Sequence, residues 1–212
     1  MATQQAVKRV GKDLTQGSIL KTLLVFAFPL ILTNLVQQLY STVDLIIIGR
    51  YAGSIGTVGV STGGELSDFM TPFAMAFSTA GQVYIAQLAG AKDDTRIKEA
   101  AGTLLTLLML LSFIFMAGSI VFYKPLLQLL NCPPEAFSQA SSYMIITAFG
   151  FPFIYGYNAV CALLRGMGES KRPLLFVSIA ATLNIFFDLL FVVVFKMEAA
   201  GTAIATVISQ MG

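Results

Sequence analysis

Apolar residues run along this chain in stretches too long for the core of a water-soluble domain, and short turns rich in Gly, Pro and charge break them. Apolar length and breakers predict six helical segments, at roughly 18–50, 54–89, 96–122, 137–164 and 172–196, with a sixth starting near 199. The separators are Gly53-Ser54, Gly90-Ala91-Lys92-Asp93-Asp94, Asn131-Cys132-Pro133-Pro134, the run from Gly166 to Pro173, and the run from Lys196 to Gly201. Pro29, Pro72 and Pro152 fall inside spans, where proline bends a helix and frees a carbonyl. The sixth segment reaches Gly212 after about 14 residues, short of a crossing length. The expectation is therefore a truncated piece, or half, of a larger transporter. No internal repeat relates the six segments, so any repeat would lie between this piece and another.

Within these apolar stretches, a few polar positions stand out. Asn184 and Asp188 are one turn apart on the fifth segment and share a face. An ionisable side chain at mid-membrane costs about 2.5–3.5 kcal/mol on insertion scales, so it persists where the site uses it. Burial penalises the charged form of such a carboxylate, which can then take up a proton or a small cation. Oxygens of Asn184, Asp188 and a nearby hydroxyl would suit Na⁺. A helix-packing hydrogen bond is the structural alternative. On the first segment, Gln37, Tyr40 and Asp44 form one polar stripe, expected to face a cavity; the alternative is an interfacial Asp44–Arg50 pair. Glu65 and Asp68 either line the same cavity and attract cationic substrates or lie solvated near the outer surface. On the stretch after Pro152, Asn158 is the best candidate for lining a substrate cavity.

Composition agrees with a polytopic membrane protein: 56% of the residues are hydrophobic and 11% charged, against about 25% charged in soluble domains. There is no histidine, and the two cysteines, Cys132 and Cys161, have no metal-ligand spacing and are expected to be free thiols. No nucleophile, phosphate-loop or cofactor motif is visible, so an enzyme is not expected and no cofactor is implied. The net charge of +2 comes with basic residues scattered in short loops, which suggests no nucleic-acid partner.

Those basic residues predict the orientation. Lys8, Arg9, Lys12 and Lys21 precede or open the first segment, Lys92, Arg96 and Lys98 follow the second, and Arg165, Lys171 and Arg172 follow the fourth. All fall on one side, leaving Arg50, Lys124 and Lys196 on the other, so the N-terminus is expected in the cytoplasm of a cytoplasmic (inner) membrane protein. The basic N-terminus is not read as a cleaved signal, because the apolar run continues past Pro29 with no small-residue cleavage site. Residues 1–16 are expected to form a cytoplasmic N-terminal segment and residues 17–212 the transmembrane lobe.

Taken in order, Pro29, Val43-Asp44, Gly49-Arg50, Gly53, Gln87, Gly90-Ala91-Lys92, Leu164-Arg165-Gly166-Met167-Gly168, Asn184, Asp188 and Gly201-Thr202-Ala203-Ile204-Ala205-Thr206 give a pattern. It resembles the N-terminal six-helix lobe of multidrug and toxic compound extrusion (MATE) transporters. The resemblance covers nearly the whole chain. It implies an all-α membrane protein: a six-transmembrane-helix bundle, its sixth helix truncated, forming one lobe of a two-lobe transporter whose C-terminal lobe is missing here. It also implies antiport, with organic cations or drugs exported in exchange for Na⁺ or H⁺. In the DinF-like branch, the family's cation site maps onto Asp44, Asn184, Asp188 and Thr206, with Gln37, Tyr40 and Asn158 in the same cavity. Some relatives carry a second amide at Cys161. Glu65 and Asp68 stand outside that pattern and would tune the substrate. Lipid-linked oligosaccharide flippases share the lobe architecture, but their cavities tend to be cationic, whereas the intramembrane charges here are acidic. A membrane scaffold or half-transporter subunit is the further alternative.

Overall fold

The computed structural model describes residues 18–211. The expected segment 1–16, with Lys8, Arg9 and Lys12, lies outside the described residues. Six α-helices follow one another: α1 (Ile19–Tyr51), α2 (Gly53–Ala91), α3 (Asp94–Leu129), α4 (Phe137–Gly166), α5 (Lys171–Asp188) and α6 (Glu198–Met211). A π-helical coil, Leu189–Val194, prolongs α5.

The breakers end the helices where their chemistry requires it. Gly53, the first residue of α2, takes φ +67° at the turn out of α1, and Lys92 closes α2 in the left-handed region at φ 61°. Asp93 caps α3 by accepting a hydrogen bond from the Arg96 N–H at 3.1 Å. Gly168, at φ 82°, closes α4 while Glu169 N–H donates to Leu164 O at 2.8 Å. Pro29, Pro72 and Pro152 lie within helices, as expected, and so does Pro125. The third helix thus runs seven residues past its expected end at 122. A proline this near a helix end forfeits one backbone hydrogen bond, which apolar packing around Leu127 offsets.

Four helical stretches are each long and apolar enough to cross a membrane: Leu20–Tyr51, Asp94–Leu129, Phe137–Gly166 and Lys171–Val194. α2 matches them in length with its 39 residues but is richer in Gly, Ser and Thr. Large apolar side chains stay exposed on the outer faces, among them Leu23, Leu24 and Phe28 of α1 and Leu110 and Ile114 of α3. Such a surface suits lipid rather than water.

α4 is the central post. Phe151, Tyr155, Ala159 and Ala162 pack with Ala74 and Ile85 of α2 and Leu104 and Leu108 of α3. Tyr155 Oη donates to the Met70 carbonyl at 2.7 Å, tying α4 to α2. Two glycines let α2 and α4 approach closely: a Cβ on Gly59 would lie 2.5 Å from Gln139 Cβ, and one on Gly63 would lie 2.7 Å from Ala140 O. Small residues at a membrane helix contact allow this backbone approach.

Candidate cation site

The polar positions of α1, α5 and α6 converge inside this bundle. Asn184 and Asp188 occupy the buried stripe of α5 with Val177 and Ala181, at 1% and 0% exposure. Asp44 comes from α1 and is 9% exposed. Its carboxyl group and that of Asp188 are near enough to act on one another directly, though no hydrogen bond joins them. Asp188 is also the last α-helical residue before the π coil. Such coils occur often at functional sites.

From α6, Thr206 joins the group. Asn184 Nδ2 donates to Thr206 Oγ1 at 3.5 Å, and Thr206 Oγ1 donates to the Thr202 carbonyl at 3.0 Å. Tyr143 of α4 lies near enough to Asp44, Asp188 and Asp68 to feel all three charges. Tyr40, one turn before Asp44 on α1, faces that carboxylate, and both Tyr40 and Gln37 are half-buried. The three members of the α1 stripe are thus buried or half-buried, Asp44 most deeply.

Oxygen is what this site offers. Asp44 Oδ1, both carboxylate oxygens of Asp188, Asn184 Oδ1 and Thr202 Oγ1 are buried without a hydrogen-bond partner among the described residues. Buried polar atoms are ordinarily paired, so a proton, water or ion would complete these oxygens. No basic side chain answers the acids: the one ion pair among the described residues is Arg96–Asp93, and Arg50 is exposed and unbridged to Asp44. The set lacks the three His, Cys, Asp or Glu groups of a transition-metal site. Carboxylate, amide and hydroxyl oxygens instead suit a hard cation such as Na⁺, or a proton.

The remaining expected residues lie outside this cluster. Asn158 is half-buried and donates its amide to Ile154 O of its own helix at 2.8 Å. Glu65 and Asp68 are exposed on α2. Cys161 is a buried free thiol that contacts Tyr157 and Arg165, and Cys132 is free as well. Sequence reasoning missed Tyr143 and Thr202. Nothing in the sequence marks Tyr143. Thr202 does carry a signal, since it precedes Thr206 by the same four residues that separate Asn184 from Asp188.

Comparison with known proteins decides the family. The MatE family model matches residues 29–190. The chain belongs to the MatE family. MATE proteins are multidrug efflux transporters of the membrane, not enzymes. The chain is 33% identical over 200 residues to the "Probable multidrug resistance protein YpnP" of Bacillus subtilis, covering 93% of the chain and 44% of that protein. It is 29% identical to YoeA of the same organism, again over 44% of that relative. Among solved structures, it superposes on the MATE multidrug transporter DinF-BH with a TM-score of 0.89 and 27% identity, over 96% of the chain and 46% of that structure. A MATE structure in the bent conformation shares the fold, at a TM-score of 0.88 and 23% identity, over 98% of the chain and 46% of that structure. The chain thus spans just under half the length of the MATE relatives it matches, and its six helices correspond to their N-terminal half.

Proposed function

We propose that this chain is the cation-binding N-terminal lobe of a MATE antiporter, in which Na⁺ or H⁺ entering the Asp44/Asn184/Asp188/Thr206 site drives export of organic cations or drugs. The paired burial of Asp44 and Asp188 without a basic partner carries this reading. Two carboxylates held together in a low-dielectric interior repel one another, and a bound cation or proton relieves that repulsion. The lobe is residues 17–212, and a second lobe completes the transporter. The basic loops support a cytoplasmic N-terminus in a multi-pass protein of the cytoplasmic (inner) membrane. Likeness to DinF-BH over 96% of the chain supports the DinF-like branch.

In this mechanism, the cation enters from outside and neutralises the acid pair. α1, α5 and α6 then close around it, with the bend at Pro29 and the π coil after Asp188 absorbing the movement. Ion binding favours one lobe arrangement, and that arrangement holds substrate less tightly, as linkage requires. Gln37, Tyr40 and Asn158 line the substrate cavity, and the exposed acids Glu65 and Asp68 draw cationic cargo toward it.

The test is ion-driven efflux by the full-length transporter in proteoliposomes, with imposed Na⁺ or proton gradients. Asp188→Asn is expected to abolish coupled efflux. Unchanged coupled efflux in that variant would overturn the proposal.

A further inference from the structure

Thr202 is the one threonine among the described residues whose hydroxyl is buried with no hydrogen-bond partner; Thr22, Thr62, Thr71, Thr95 and Thr106 also make no back-bond, but their hydroxyls are not so enclosed. Thr33, Thr42, Thr57, Thr79, Thr103, Thr147, Thr182 and Thr206 each donate their hydroxyl to the carbonyl four residues earlier. This back-bond is how a threonine inside a helix ordinarily satisfies itself. Thr202 makes none, although it is only 1% exposed and its Oγ1 has no partner among the described residues. Its back-bond acceptor would be Glu198, the first residue of α6, which sits in the left-handed region at φ 51°.

Two independent registers place this hydroxyl at the acid pair. α5 and α6 form an antiparallel hairpin in which Asn184 meets Thr206 and Phe191 meets Gly201. Between those two levels, Thr202 lies opposite Asp188. One turn separates Thr202 from Thr206 and one turn separates Asp188 from Asn184, so each pair shares a face. α4 gives the second register. Gln139 meets Ala199 and Gly150 meets Val207, which puts Thr202 level with Tyr143. Tyr143 is the residue that lies near both Asp44 and Asp188.

We propose that the Thr202 hydroxyl is a direct oxygen ligand of the coupling ion and that it equips the site for Na⁺. A proton needs one carboxylate oxygen. A metal ion needs a shell of several oxygens, and hard cations of this kind gather about six. Asp44, Asn184, both oxygens of Asp188 and Thr206 leave that shell short by one, and Thr202 supplies it with the lone pairs of a neutral group. Thr206 is already engaged as donor and acceptor, whereas Thr202 is free. This inference rests on the proposed cation site.

The experiment is Na⁺ titration of the full-length purified protein by isothermal calorimetry at one alkaline pH. The variants are Thr202→Val, Thr202→Ala and Thr202→Ser, with Asp188→Asn as the control. Val and Ala are expected to weaken Na⁺ binding about tenfold, with Ser staying within about threefold of the parent protein because it keeps the oxygen. Wild-type affinity in Val or Ala, with binding lost in Asp188→Asn, would overturn the role of Thr202 alone. The same holds if Ser weakens binding as much as Val. Unaltered binding in Asp188→Asn would overturn the site itself, and this inference with it.

Discussion

Gln139 of α4 clasps the start of α6 with both ends of its amide: Nε2 donates to the Glu198 carboxylate and Oε1 accepts the Ala199 N–H at 3.1 Å. Ala199 is fully buried, so its N–H has no water to turn to. Gln139→Leu is expected to destabilise the protein by about 1–3 kcal/mol, the cost of an orphaned buried donor. A lowered thermal midpoint of the full-length protein in detergent checks this. Gln139→Glu, which sets a second acid against Glu198, should do at least as much harm.

Neutralising one acid should separate stability from function. Asp44→Asn removes the repulsion between Asp44 and Asp188, so in Na⁺-free buffer the variant should melt no lower than the parent protein. Saturating Na⁺ should raise the midpoint of the parent, since a ligand at a hundred times its Kd adds about 2.7 kcal/mol. The variant should lose most of that gain. Thermal scans with and without Na⁺ at fixed ionic strength read both effects.

Protons and Na⁺ compete for the same oxygens. As pH falls, protons occupy more of the carboxylates and the half-saturating Na⁺ concentration rises, by up to about tenfold per pH unit in the competing range. As pH rises, it should fall to a plateau. Calorimetric Na⁺ titrations at several pH values, in buffers of different ionisation enthalpy, measure this and the protons released.

The close approach of α2 to α4 bears on the site through Tyr143. A Cβ on Gly63 would stand 3.1 Å from Tyr143 Cβ as well as 2.7 Å from Ala140 O. Gly63→Val forces the helices apart and is expected to cost about 1–3 kcal/mol through overpacking. Because Tyr143 lies near both acids, Na⁺ affinity should fall as well. Gly90→Ala is the control: a Cβ there meets nothing within 4 Å.

The helices were legible because each is an uninterrupted apolar run bounded by Gly, Pro or charge. Most observed ends lie within two residues of the expected ones. The third departs: the helix runs seven residues past 122, through Pro125, to Leu129. The acids were legible for a similar reason, since Asp44 and Asp188 interrupt stretches in which charge is costly. Their meeting across α1 and α5 was not readable from periodicity and came from the family resemblance. Tyr143 was hidden because an aromatic in an apolar helix looks like any packing residue. Thr202 was half legible: its spacing from Thr206 stands in the sequence, but its buried, unpartnered hydroxyl shows only in the structure. Glu65 and Asp68 looked equal in sequence and both are exposed on α2, but of the two only Asp68 lies near enough to Tyr143 to act on its hydroxyl.

The coil after Asp188 leaves a mark on the hairpin. Phe195 N–H reaches back to Leu190 O at 3.0 Å, a span of five residues where an α-helix uses four. One surplus residue is thus lodged between the acid and the bend into α6. Deleting one position from 189–194 would restore ordinary α pitch there while leaving the turns on either side close to their present phase. The aim of Asp188 is fixed by the α turns before it, and the aim of the hairpin by the loose turn after it. A change of winding in that coil would act on the turn into α6 and leave the α-helical turns that carry Asn184 and Asp188 as they are.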